Sequence, residues 1–233
     1  MRLTIIKYIK NGFYIHFIHA LIQHLSNNIY LSTTIAIKLY SSNYFYWYGD
    51  LHNYLPNPRY NWVKQFIRFT DTGHIVSFAL IICPTFIPNF VPFFLPLAHN
   101  IHFLIMGGYW VGKLAFDMKD SDRIDTGKST DIIEWHMDMC TFIHHSVPYI
   151  LIYSHWQSNT MQFNNTILLY TYIWLYTWFI FIYLPWRIYT GDTVYSILDQ
   201  KQTSITTIVG FIAFIHFMVF VSNMIGYFMC LIL

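Results

Sequence analysis

The chain has 233 residues, of which 55% are hydrophobic, 21% aromatic and only 10% charged, with a formal net charge of +2. Soluble domains carry roughly 25% charged residues, so this composition and a mean hydropathy of +0.40 exclude an ordinary soluble protein and predict a multi-pass membrane protein. The small charge, with no basic run interleaved with aromatics, excludes nucleic acid as a partner.

The expected fold is all-α, a polytopic transmembrane helical bundle of six or seven helices of roughly 20 residues each around an interior polar cavity. Two regions are expected: residues 1–65, an amphipathic, partly membrane-inserted segment with an aromatic loop, and residues 66–233, the transmembrane helical domain. Residues 1–25 lack the charged, apolar and small-residue order of a cleavable signal. Cys83, Cys140 and Cys230 are widely spaced in apolar segments and give neither a disulfide framework nor a zinc pattern.

Residues 1–11 set Arg2, Lys7 and Lys10 among apolar side chains and read as a segment lying along the membrane surface. Residues 12–37 form a weakly apolar stretch interrupted by His16, His19, Gln23 and His24, and read either as a span or as an interfacial helix. Residues 38–72 are a polar connection with the turn-rich middle NYLPNPRYNW, and their many tyrosines and tryptophans suit the headgroup belt. A helix is expected from about residue 73 to 87. Pro84, Pro88, Pro92 and Pro96 then recur at every fourth position, each lacking the N–H a helix needs, so a break and a second short helix up to Leu97 are predicted.

The next span, Ala98–Phe116, places His99, His102, Tyr109, Lys113 and Asp117 on one side at the helical period. The loop DMKDSDRIDTGKSTD follows as a solvated connector; its DTGKST lacks the first glycine and the preceding strand of a phosphate loop. Asp131–Trp156 is a span rich in ionisable groups. Glu134, Asp138, Thr141 and His145 share one helical stripe, with His136, Cys140 and His144 beside it. Thr166–Trp186 and Ser204–Leu233 complete the spans, the last carrying His216 and Asn223 on one face. Lys and Arg concentrate in loops 38–72, 117–131 and 187–203, which all fall on one side, and are cytosolic by the positive-inside rule, if the break near 88–97 is an outer turn. Residues 1–11 agree with that side only if residues 12–37 do not cross once.

Ionisable groups at membrane depth are costly and face a protein interior, marking functional sites. The spans on either side of loop 117–131 are antiparallel, so their polar rows (His99, His102, Tyr109, Lys113 and Asp117 on one, Glu134, Asp138, His144 and His145 on the other) are expected to meet in the cavity. A histidine oriented by a carboxylate is a general base, able to deprotonate an amine or hydroxyl nucleophile. The same groups would serve a proton or ion pathway, or lock helices together as a structural subunit of a membrane complex. No metal is expected, because a membrane di-iron oxidase needs far more grouped histidines than HNIH and one HH. A retinal protein is excluded by the absence of lysine from residues 204–233.

The order of His74 in TGHIVSFAL, Gly108-Tyr109 in GGYWVGKLAFDM and His144-His145 in CTFIHHSVPYILIYS resembles the TLC domain family, the ceramide synthases and related membrane-lipid proteins, over residues 66–231. The resemblance implies a lipid-handling bundle in which His144 and His145 transfer an acyl group from acyl-CoA, as co-substrate, to a long-chain amine or alcohol. Glu134, Asp138 or Asp117 would substitute for the family's acids, His74 would line the substrate cavity, and a non-catalytic lipid-binding role, also represented in the family, fits equally well. No other cofactor is expected. Lys113 stands where the family often has an acid, and the span 166–186 lacks its acidic pair. Partners are membrane lipids and a further copy or a larger membrane complex, in the endoplasmic reticulum if the source is eukaryotic.

Overall fold

The computed structural model describes residues 66–116, 142, 145–150, 152–153, 156 and 161–232. Glu134, Asp138, His144 and Asp117, with residues 1–65, lie outside them. The chain divides into two compact units, one of Met1–Trp62 with Asp122–His155 and one of Val63–Ser121 with Trp156–Leu233. In the first, residues 145–150 are helical, and the Tyr149 and Tyr153 hydroxyls meet at 2.6 Å one turn apart.

The second unit contains α1 (Phe69–Phe86), a 3-10 turn at Pro88–Phe90 and α2 (Val91–Ala115). It continues with α3 (Asn165–Thr177), a π-helical stretch Trp178–Tyr183, α4 (Leu184–Thr190), a 3-10 turn at Ser196–Leu198 and α5 (Ile205–Ile232). No strand occurs among the described residues. Three helical runs are long and apolar enough to cross a membrane: Pro88–Ala115, Asn165–Thr190 and Ile205–Ile232.

The prolines act partly as expected. Pro88 and Pro92 sit in the first turn of their elements, where a missing N–H costs nothing. The expected break is present at Ile87, between α1 and the 3-10 turn, but the second helix, expected to stop at Leu97, runs on through Pro96 to Ala115 as α2. Pro96 cannot donate to the carbonyl of Pro92 one turn earlier. The Gln162 N–H, 3.4 Å away, donates to that carbonyl instead, so a neighbouring segment satisfies what the helix leaves open.

Asn164 starts α3 by accepting the Thr166 and Ile167 N–H groups at 3.0 and 3.1 Å, an N-cap that satisfies orphan donors. The helix also outruns its expected end at Trp186, continuing to Thr190. A wide turn precedes Pro185, with Leu184 N–H bonded five residues back to Phe179. That register brings Trp178 and Tyr183, five apart, into a stacked pair with centroids 5.4 Å apart. Gly191 ends the run at φ 72°, a left-handed position where a side chain is strained. Asp192 then accepts from Val194 N at 3.0 Å, and Asp199 Oδ1 from Lys201 N at 3.1 Å, tying down the connection to α5.

Helix α2 is the inner element. Buried residues make up 61% of its most apolar window, against 22% for each of the runs 165–190 and 205–232. Those two leave Leu169, Ile173, Phe181, Phe217, Phe220 and Phe228 exposed, an apolar surface fit for lipid. In lipid, apolar burial does not drive helices together, so close approach and interhelical polar contacts carry the association. Gly73 of α1 allows such an approach: a methyl there would lie 3.0 Å from Ile105 Cδ1 and 3.3 Å from Ile101 Cγ2 of α2. Leu104 of α2, Leu175 of α3 and Met218 and Val219 of α5 form one packed core cluster.

Candidate functional site

Two features meet around α2: a polar core in its first half and an apolar cavity beside its second. The polar core begins with His74, Ser77, His99, Asn100, Thr171 and Ser222, all at 0% exposure. The Ser77 hydroxyl lies 3.1 Å from the His74 carbonyl and 2.8 Å from His102 Nε2. A hydroxyl has one hydrogen; with it directed at the carbonyl, His102 Nε2 is the donor. The His74 and His102 rings stand 5.1 Å apart.

On another side of α2, Asn100 joins three helices. Its Nδ2 donates to Thr171 Oγ1 of α3 at 3.0 Å and to Asn223 Oδ1 of α5 at 3.3 Å. Both amide hydrogens are thereby used, so Asn100 Oδ1 accepts from His99 Nδ1 at 3.2 Å, fixing the tautomer of His99. The His99 ring packs edge-on to Trp156 and Phe163, with centroids at 5.4 and 5.2 Å. These contacts use the polar capacity that hydrocarbon would leave unmet.

The cavity, about 100 Å³, lies between the start of α1, the second half of α2, the π turn, the Ser196–Leu198 turn and α5. Phe69, Leu104, Ile105, Leu175, Trp178, Leu198, Phe211 and Ile215 line it, together with Gly108, Thr70, Tyr109 and Tyr195. One water needs roughly 10–15 Å³, so the space takes several heavy atoms of an apolar group. Tyr195 Oη accepts the Phe69 N–H at 2.9 Å, and Trp178 Nε1 donates to the Ile67 carbonyl at 2.8 Å. Burial pushes the Tyr195 phenol up to about 12; Asp71 adds to the rise, while Arg68 opposes it. Lys113 Nζ donates to Tyr109 Oη at 3.1 Å.

Of the residues singled out in the sequence, His74 and His102 come together through Ser77. His99, His102, Tyr109 and Lys113 do not form one stripe facing one cavity. His99 faces Trp156 and Phe163, His102 faces α1, and Tyr109 packs on Ile197. The reason is that α2 is enclosed by α1, α3 and α5, so polar groups leave it in several directions. Tyr109 lines the apolar cavity; His74, His99 and His102 are not in its wall. His145 lies in the helical residues 145–150 and is half-buried. His216 and Asn223 also part company: His216 meets the Tyr176 hydroxyl at 2.7 Å, while Asn223 belongs to the Asn100 network.

Sequence reasoning passed over Ser77, Asn100, Thr171 and Tyr195. Asn100 carried a signal, an amide inside an apolar run beside His99, because a neutral polar group in a span also needs a partner. Among the described residues no group of three or more His, Cys, Asp or Glu side chains is arranged to hold a metal ion. Comparison of the chain with family models, curated proteins and solved structures finds no match.

Proposed function

We propose that the chain is a multi-pass membrane protein of six or seven helices that handles lipids, holding part of an acyl chain in the apolar cavity beside Tyr109. The observation that carries this reading is the cavity itself: an almost wholly apolar wall at an inner helix, with a few hydroxyls at fixed points, is the usual make-up of a site for an apolar ligand. The order of His74, Gly108-Tyr109 and His144-His145 supports a TLC-like lipid role. In its enzymatic form an amine or hydroxyl attacks the thioester carbonyl of acyl-CoA, a histidine of the His144–His145 pair takes its proton, and the CoA thiolate leaves.

Lipid mass spectrometry on the purified protein tests the cavity. An acyl lipid that copurifies with wild type should be lost in Leu104→Trp and in Leu198→Trp, which put a larger ring at two residues of the cavity lining. Equal lipid content in folded wild type and both variants would sink the reading. For catalysis, an acylated lipid class raised by expression of wild type should return to baseline with His144→Ala/His145→Ala.

A second reading is proton conduction along α2, favoured by the buried contacts of His102 with Ser77 and of His99 with Asn100. Polar chains of this kind at membrane depth serve proton relays. In proteoliposomes, a pH-gradient-driven proton flux abolished by His102→Leu would establish it; no flux above empty vesicles would remove it.

A further inference from the structure

Helices α3 and α5 meet along a seam that is bridged on its exposed side. Tyr176, 47% exposed, sets its hydroxyl 2.7 Å from His216 Nε2, with the two ring centres 5.6 Å apart. His216 Nδ1 lies 2.7 Å from the Ile212 carbonyl, which only accepts, so Nδ1 carries the hydrogen. In the neutral ring Nε2 is then an acceptor, and the Tyr176 hydroxyl donates to it. Tyr172 adds a second bond, its hydroxyl donating to the His216 carbonyl at 3.0 Å. Ile173, Ile212 and Phe217, close by on the same helices, are exposed, so the bridge sits in an apolar, lipid-suited surface.

The residues immediately before Tyr176 and His216, Leu175 and Ile215, line the apolar cavity. The bridge thus closes the seam between that cavity and the lipid. We infer that it is the latch of a lateral portal, through which an acyl chain passes between α3 and α5 from the bilayer into the cavity. The inference rests on the lipid-handling reading and supplies its route. In a bilayer, lipid chains take over the apolar contacts that two parting helices give up, so the polar bonds between them carry much of the cost of opening. The surrounding structure confines that opening. On one side both helices are held to Asn100, through Thr171 and Asn223. On the other, Trp178 is held to the Ile67 carbonyl, where α3 passes into the π-helical stretch, a geometry that accompanies functional sites and bends in helices. Residues 172–177 are left as the part of α3 that moves.

The test is the rate at which a chain reaches the cavity. The full chain in dimyristoylphosphatidylcholine vesicles is mixed with dodecanol carrying a diazirine at its chain end, then flashed after increasing delays. Mass spectrometry follows the label on Leu104 and Leu198, two cavity residues away from the seam. Tyr176→Phe and His216→Leu should each speed this labelling about fivefold, the worth of one interhelical bond in lipid, and leave the final extent as in wild type. His216→Gln, which keeps an acceptor for Tyr176, should stay near the wild-type rate. A rate unmoved by Tyr176→Phe and His216→Leu overturns the portal and leaves the cavity standing. Equal acceleration by Thr190→Ala, which breaks side-chain bonds outside the seam, would mean general loosening and overturns it as well. No label on either leucine at any delay overturns both the portal and the lipid site.

Discussion

The hydroxyl of Tyr195 accepts the backbone N–H of Phe69 at 2.9 Å, joining the loop before α5 to the first residue of α1. Arg68, which precedes α1, makes no side-chain cap, so the phenol does the work of an N-cap from across the chain. Tyr195→Phe leaves a first-turn N–H in a half-buried place, and an unsatisfied donor costs about 1–3 kcal/mol. The expected result is a loss of that size in unfolding free energy, read by denaturation in mixed micelles. No loss would mean that water reaches the N–H.

The same phenol gives a pH dependence. Its folded value is raised from 10 to about 12, chiefly by burial. The folded state thus keeps a proton that the unfolded state releases, and stability is full below about pH 10 and falls as pH rises toward about 12. Tyr195→Phe should flatten this part of the stability curve while lowering it overall. A slope unchanged between wild type and variant would exclude Tyr195 as its source.

Asn100, Thr171 and Asn223 link three helices with two bonds from one amide. Interhelical polar bonds in membranes have measured couplings of about 0.6 kcal/mol, reaching about 1.7. A double-mutant cycle on Asn100→Ala and Asn223→Ala is expected to give about 1 kcal/mol of coupling, and the single Asn100→Ala should cost more, because it also strips His99 of its acceptor. Additive effects would show the 3.3 Å contact to be energetically empty.

Much of the fold is legible as lengths of apolar chain. Residues 204–233 read as one span, and α5 covers Ile205–Ile232; the start of α3 was likewise within a residue of Thr166. Continuity of α2 through Pro96 was not legible, because the donor that replaces the missing one belongs to Gln162, far along the sequence. The extension past Trp186 was hidden for a similar reason: a π turn absorbs Pro185, and no composition announces it. At the site, the cost of ionisable groups in a membrane drew attention to His99 and His102, and the TLC resemblance to His74; all three are buried in the structure. Their directions were not legible, since helical period gives a face only where one face differs from the rest, and residues 95–102 of α2, which carry His99 and His102, are buried on all sides. Ser77, Asn100 and Thr171 escaped notice because neutral polar residues are common in spans and declare their role only through a partner.

Two glycines of α5 should respond to alanine with opposite signs. In a helix, alanine is favoured over glycine by about 0.5–1 kcal/mol. At Gly210 the nearest atom to an added methyl is a Phe116 ring carbon at 3.8 Å, an ordinary contact, so Gly210→Ala should stabilise by roughly that amount. At Gly226 the methyl would strike the Phe163 ring, which is packed edge-on to His99 and stacked on Trp156 at 5.7 Å. Forcing volume into such a packed site costs about 1–3 kcal/mol, more than the helical gain, so Gly226→Ala should destabilise. Phe163→Leu, by removing the ring, should make Gly226→Ala less harmful than it is in wild type. Unfolding of wild type, the three single variants and Phe163→Leu/Gly226→Ala in parallel decides it; equal effects of the two alanines would show that Phe163 moves aside without cost and that the aromatic box around His99 is loosely held.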